Sequence, residues 1–267
     1  MIKTLGRISK MHRIFIVQSL KKMIEYKADF IIGVLGMLLS QVVDILFLWI
    51  IFSNIPSLLG WTFNQIVFIY GFSLIPKAID HLLFDRLWGI GHWVVRKGEF
   101  DIYLTRPLNP LIHVLMEQFQ LDAVGELVMG IILIASSIGS VGIVWSPVKI
   151  LLTIIVIPFA VMIYTAIKTA TAAISLWIKR SGNITFMFYM VNDFSKYPVT
   201  IYNSFVKNLI TYIIPFAFTA FYPANYILTG ENPLFNIGGT VLISVVFMTV
   251  GVLVWNKGLG AYESAGS

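Results

Sequence analysis

Cysteine is absent from the 267 residues, which excludes a disulfide-stapled secreted fold. Charge is scarce: Asp, Glu, Lys and Arg together make 12% of the chain, against about a quarter in soluble globular domains, so a water-soluble enzyme is set aside. Sequence signatures of catalysis are missing too. No Gly is followed by Lys, so there is no G-x-x-x-x-G-K-[ST] for ATP, and neither H-E-x-x-H nor G-x-S-x-G occurs. The four histidines (His12, His81, His92, His113) are scattered; His113 and Glu117 share a helix face at i,i+4 but lack a third ligand. The chain therefore offers no catalytic residue and no metal site of its own. What is abundant is apolar: 58% hydrophobic and 14% aromatic residues, with a mean hydropathy of +0.85. That composition excludes intrinsic disorder and a nucleic-acid partner. The formal net charge of +6 is then read as orienting a polytopic, all-α membrane protein in its bilayer.

Residues 1–29 carry seven spread cations and no cleavage pattern, so they are not a secretory signal. Ile14, Val17, Leu20 (or Lys21), Ile24 and Ala28 recur every three or four residues, which fits a basic amphipathic helix lying on membrane lipid; a solvated basic tail is the alternative. A spanning helix needs roughly 20 mostly apolar residues. Six such spans are expected at about 30–52, 63–83, 110–137, 148–178, 182–203 and 234–255, within one membrane domain covering 1–267. The third begins polar (His113, Glu117, Asp122, Glu126) and the fifth is expected to bend near Pro198. Residues 205–233 are apolar but cut by Pro215 and Pro223. Pieces this short cannot cross lipid alone, so the segment reads as re-entrant, with a seventh span as the competing reading.

With an inside N-terminus, fourteen of the nineteen cations fall in inside segments and three, Lys149, Lys196 and Lys207, in outside ones. That bias predicts cytoplasmic termini, a cytoplasmic loop between spans 2 and 3, and an outer position for residues 205–233. Ionisable groups within spans are costly and tend to face protein or water. Asp44 is placed to line a path or to pair with a cation of another span; Lys77, Asp80 and His81 share one face, and Lys168 is near enough to the inner end to snorkel. Thr165, Thr169 and Ala173, with Ala166 and Ala170, form small-residue stripes suited to close helix packing. On the fifth helix Phe186, Tyr189, Asp193, Tyr197 and Thr200 fall on one face.

The cytoplasmic loop reads Gly98-Glu99-Phe100-Asp101-Ile102-Tyr103-Leu104-Thr105-Arg106-Pro107-Leu108. Phe100, Tyr103 and Leu104 form an apolar stripe that must be buried against lipid, the bundle or a partner, and Pro107 ends the helix. The stretch closely resembles the coupling segment of type-2 ATP-binding-cassette (ABC) exporter permeases, where a Gly-acidic-hydrophobic run precedes Leu-x-Arg-Pro-Leu. Two further segments resemble the same family: Tyr197-Pro198 with Ile214-Pro215-Phe216-Ala217-Phe218 and Tyr222-Pro223-Ala224, and the C-terminal Tyr262-Glu263-Ser264-Ala265-Gly266.

The resemblance implies an N-terminal amphipathic elbow helix, a cytoplasmic coupling helix, and extracellular re-entrant helices between spans 5 and 6. It further implies two copies of a separate ABC ATPase subunit, which hold the ATP and Mg, and a second permease, identical or paralogous. Coupling would fall to Gly98, Glu99, Phe100, Asp101, Tyr103, Leu104, Arg106 and Pro107. The substrate path would take Asp44, Phe186, Tyr189, Asp193 and Tyr197, and the outer gate Pro215, Phe218, Tyr222 and Pro223. Aromatic and Met-rich walls suit a hydrophobic or amphipathic cargo, such as a drug, peptide or lipid-like molecule, moved out across a bacterial plasma membrane. An ion-coupled secondary transporter using Asp44, Asp80 or Glu126 as a relay is the alternative; an intramembrane enzyme lacks a nucleophile or metal set.

Overall fold

The computed structural model describes residues 2–264, with side chains from Arg13 onward. The Ala265 and Gly266 of the C-terminal motif lie outside the described residues, as do the side chains of Lys3, Arg7 and Lys10. Among the described residues the chain is all-helical, with no strands. In chain order its main elements are α1 (Ile2–Glu25), α2 (Lys27–Phe52), α3 (Phe63–Phe84), α4 (Asp101–Thr105), α5 (Pro110–Glu117), α6 (Val124–Ile138), α7 (Pro147–Ala173), α8 (Gly182–Asn192), α9 (Ser204–Asn208), α10 (Phe221–Thr229) and α11 (Gly239–Ala261). Among the described residues five segments are long and apolar enough to cross a membrane: Lys27–Phe52, Phe63–Phe84, Leu121–Ile138, Pro147–Ile178 and Leu234–Ala261. A sixth candidate is the pair Ser204–Ile213 and Phe216–Thr229, bent by 74°.

Local chemistry sets the helix starts. Thr62 and Gln65 close a capping box on α3, the Thr62 N–H donating to Gln65 Oε1 at 3.0 Å. Ser146 caps α7 with Pro147 in its first turn, and Asn109 caps α5 in the same way before Pro110. Where two helices cross closely, glycine makes the room. A Cβ on Gly71 of α3 would lie 2.8 Å from the Leu133 Cβ of α6, and one on Gly251 of α11 2.9 Å from the Ala166 carbonyl oxygen of α7. The small stripe on α7 is thus used for packing within the chain, against α11.

Two expected spans differ from expectation. The third is interrupted: Gln118 is extended (φ −129°, ψ 130°), so α5 stops short and the membrane-length segment begins at Leu121. The polar first half lies in the separate helix α5. The fifth is shorter still, because α8 ends at Asn192 and continues as 3₁₀ turns at Asp193–Lys196 and Val199–Ile201, with Tyr197 extended between them. At 2 Å per residue, 3₁₀ turns lengthen the reach of so short a helix. Gly182 begins α8 against the His92 ring, so close that a Cβ would meet it at 2.3 Å. Thr200 accepts a hydrogen bond from the Trp61 indole at 2.8 Å. Residues 182–200 therefore run from the end of α3 to its start.

The two ends of the bundle are distinct. Arg86, Arg96, Lys97, Arg106, Lys179 and Arg180 gather at one, the basic end; Trp61 and Lys149 mark the other. Both chain ends reach the basic end: Phe15 of α1 stacks on His113, and Tyr262 donates to Asp101. The predicted α1 stripe of Ile14, Val17, Leu20 and Ile24 is exposed, while Phe15, Ile16, Ser19 and Met23 are half-buried. Both ends of the bent pair lie at the Trp61–Lys149 end. Asn203 follows the Thr200 contact, and the Lys149 ammonium donates to the Ile227 carbonyl at 3.1 Å. Between them Thr219 donates to the Tyr164 hydroxyl at 3.2 Å, fifteen residues along α7 from Lys149, or about 22 Å at the α-helical rise.

Candidate functional site

The loop at the basic end turns on Gly98, whose φ of +74° suits glycine. After the single-turn α4, Arg106 is extended, as a residue before proline favours. The expected stripe is divided. Phe100 is 0% exposed, its ring packed on Tyr103, Trp255 and Tyr262 at centroid distances of 5.5, 6.0 and 5.0 Å. Tyr103 is buried beside it; its hydroxyl donates to Glu117 and accepts from Arg86 Nε at 2.9 Å. Burial, with the Glu117 carboxylate, raises the pKa of that hydroxyl and keeps it protonated. Leu104 instead faces outward at 45% exposure, joined by Ile102 at 50%. The spacing did not single out Ile102. Glu99, Arg106 and Pro107 are exposed around this edge.

His113 and Glu117 do not act as a pair. Glu117 bonds Arg86 at 3.2 Å, and His113 Nε2 sits 3.1 Å from Arg106 Nη1. Burial pushes the His113 pKa down, so its neutral ring accepts from the guanidinium. Asp101 accepts from Tyr262 at 2.9 Å and Ser264 at 2.6 Å. Those hydrogen bonds, Ser264's first, hold its carboxyl below the ordinary range. Lys179 lies 5.5 Å over the Tyr262 ring and donates to the Glu263 carbonyl. Two motifs far apart in sequence, the loop and the C-terminal tail, thus form one surface.

Along α2, α3 and residues 182–202 run three adjoining clefts. The first, about 500 Å³, lies nearest the basic end between Lys77, His81, Asp85 and Trp88 and the α8 residues Phe186, Tyr189 and Met190. The second, about 200 Å³, holds Gln41, Asp44, Tyr70 and Lys196. The third, about 360 Å³, is apolar, with Phe47, Ile51, Phe194, Tyr197 and Tyr202. Asp193 borders all three. Of the path residues expected from one helical face, Phe186, Tyr189 and Asp193 meet in the first cleft. Tyr197 does not join them there, because α8 ends at Asn192 and the 3₁₀ turn shifts the register.

Among the described residues, the ionisable groups along these clefts form three networks. Asp44 pairs with Lys196 at 2.8 Å and accepts from Tyr70 at 3.0 Å, and Lys196 lies 3.6 Å from Asp193. Glu126 takes Lys77 and His81, each at 3.0 Å. Lys168 does not snorkel. It is fully buried, 2.7 Å from Asp80 and 3.7 Å from Asp85, and Asp80 also accepts from Thr165 and Tyr189. So Lys77, Asp80 and His81, expected on one face, divide between two networks. Lys196, assigned by the sequence to an outer segment, lies within this cleft system.

Pro215, Phe218, Tyr222 and Pro223 are all buried. The Phe218 and Tyr222 rings lie 4.5 Å apart, tilted by 37°, and both meet Phe235. The hairpin touches the cleft wall through a residue outside the expected gate set: Phe216, 5.3 Å from Tyr164 and 6.2 Å from Tyr189. Sequence reasoning missed Phe216, Trp88, Tyr70 and Gln41. Tyr70 and Gln41 sit opposite each other on two helices, and only the tertiary pairing reveals that.

A family model described as ABC-2 family transporter protein matches residues 38–266. No curated protein matches the chain.

Proposed function

Because this chain belongs to the ABC-2 family of transporter proteins, we propose that it is the membrane permease of an exporter powered by ATP hydrolysis on a separate ATPase subunit. The ATPase holds the ATP and Mg; two copies of it dock beneath two permeases in a plasma membrane, with the basic end facing the cytoplasm. One observation carries this reading. The loop 98–107 is fastened to the bundle by buried Phe100 and Tyr103, yet presents an apolar edge, Ile102 and Leu104, outward among charged residues. A load-transmitting contact needs both features: a partner-facing edge, and a stiff connection that makes its displacement a displacement of α11 and α5. Residues 205–233 are taken as a re-entrant hairpin on the outer side, closing the path there. The three clefts form the path for a hydrophobic or amphipathic cargo.

The test replaces the outward edge and spares the buried anchor. Ile102→Asp with Leu104→Asp is expected to abolish co-purification with the ATPase, or to uncouple its hydrolysis from transport, while the permease still elutes as a folded species. Unchanged coupling would remove the loop from this role. The ion-pair networks at Asp44, Asp80 and Glu126 favour a second reading, a carrier driven by an ion gradient. Transport by the purified chain alone in vesicles, with an ion gradient and no ATPase, would establish it.

A further inference from the structure

The acidic and basic side chains around the first two clefts are unequal in number. Three lysines, Lys77, Lys168 and Lys196, face five carboxylates, Asp44, Asp80, Asp85, Asp193 and Glu126, and His81 lies on Glu126. The imbalance is local, since the whole chain is +6. Each lysine has a carboxylate at 3.0 Å or closer, so none is free to attract an anion. The carboxylates are less well matched. Asp85 meets Lys168 only at 3.7 Å, and Asp193 meets Lys196 only at 3.6 Å, while those lysines are held closer by Asp80 and Asp44. Both under-matched carboxylates border the 500 Å³ cleft.

The wall of that cleft is aromatic. Trp88 meets Tyr189 edge-on at 5.0 Å, and His81 stacks on Tyr189 at 5.6 Å. Phe186 lies on the same cleft, largely exposed. Ring faces attract organic cations, most strongly where water is excluded. Excess negative charge at membrane depth is costly unless a positive charge neutralises it.

We propose that this cleft takes a lipophilic organic cation, its charge directed to Asp85 and Asp193 and its apolar body held by Trp88, Tyr189 and Phe186. The proposal rests on the permease reading and narrows its cargo from amphipathic molecules in general to positively charged ones. An anionic amphiphile of equal size is rejected, because it would face the more numerous carboxylates and find each of these three lysines already paired.

The experiment uses the purified full chain in phosphatidylcholine nanodiscs and measures equilibrium binding of radiolabelled tetraphenylphosphonium, with empty discs subtracted. Tetraphenylborate, of the same shape and opposite charge, is the comparison. Saturable binding of the phosphonium, at least about tenfold tighter than the borate, is expected. Asp193→Asn acts on a carboxylate that is 67% exposed, so loss of the fold does not explain its effect. It is expected to weaken phosphonium binding several-fold, and Asp85→Asn with Asp193→Asn to weaken it about tenfold or more. Trp88→Leu should weaken phosphonium and leave the small borate signal unchanged. Equal or tighter borate binding, or phosphonium binding indifferent to both Asp substitutions, would overturn the proposal. The measurement requires no ATPase, so its failure leaves the loop experiment standing, and failure of the loop experiment leaves cation binding standing.

Discussion

Lys168 and Asp80 meet with neither side chain reaching solvent, and such a pair is tested by removing its halves separately. Lys168→Met leaves Asp80 charged and buried with only Thr165 and Tyr189 as donors; breaking a buried pair in this way costs about 3–5 kcal/mol. Lys168→Met with Asp80→Asn removes both charges; the amide oxygen accepts from one of Thr165 and Tyr189 and the amide N–H donates to the hydroxyl oxygen of the other, so it is expected to recover much of that loss. Thermal unfolding in detergent, followed by tryptophan fluorescence, checks the order: wild type above the double variant, and the double variant above Lys168→Met. The sequence disclosed that Lys77, Asp80 and His81 belong to one helical stripe. It did not disclose their partners, because a stripe spans enough arc for Asp80 to turn towards α7 while Lys77 and His81 turn towards Glu126 of α6. Snorkelling was the natural expectation for Lys168 as an isolated residue. A carboxylate 2.7 Å away makes the interior the better place.

The loop 98–107 and the C-terminal tail are separate segments of sequence that behave as one element in the fold. Hydrogen bonds from Ser264 and Tyr262 lower the pKa of Asp101, so the docked tail binds fewer protons than the released one. Docking is therefore complete above the ordinary carboxylate value of about 3.9 and weakens as the pH falls through the lowered one. Protection factors of the 262–264 amides, the intrinsic exchange rate at each pH divided by the observed one, should be high near neutrality and fall in that acid range; Asp101→Asn should show the low limit throughout. Most helices were legible from apolar runs: α2, α3 and α7 lie on the expected runs, while α11 (Gly239–Ala261) is displaced toward the C-terminus from the expected 234–255. The breaks at Gln118 and Asn192 were not legible, since neither carries a local breaker. Both depend on tertiary contacts: Tyr164 donates to the Asn192 side chain at 2.6 Å, and beyond Gln118 the Gln120 N–H donates to the Leu82 carbonyl at 3.2 Å.

For the whole molecule, composition and the distribution of Lys and Arg were enough to indicate a membrane bundle with distinct ends. The course of residues 205–233 required the contacts of Thr200 and Lys149. The cysteine-free chain allows single-cysteine reporters. Glu231→Cys and Ser57→Cys should react with a membrane-impermeant maleimide on intact cells, and Lys97→Cys only after permeabilisation. Protection at Glu231 alone would make the hairpin a crossing. The brevity of α8 bears on how the chain is made. Eleven residues rise about 16 Å, roughly half the hydrocarbon thickness; the last of them is Asn192, and Asp193 and Ser195 follow at once. A nascent stretch of this kind gains too little on leaving the translocon by itself. It settles only after α3 and α7 are in place to offer Asp80 and Tyr164, so this part of the chain integrates late, as a step of folding and not of synthesis.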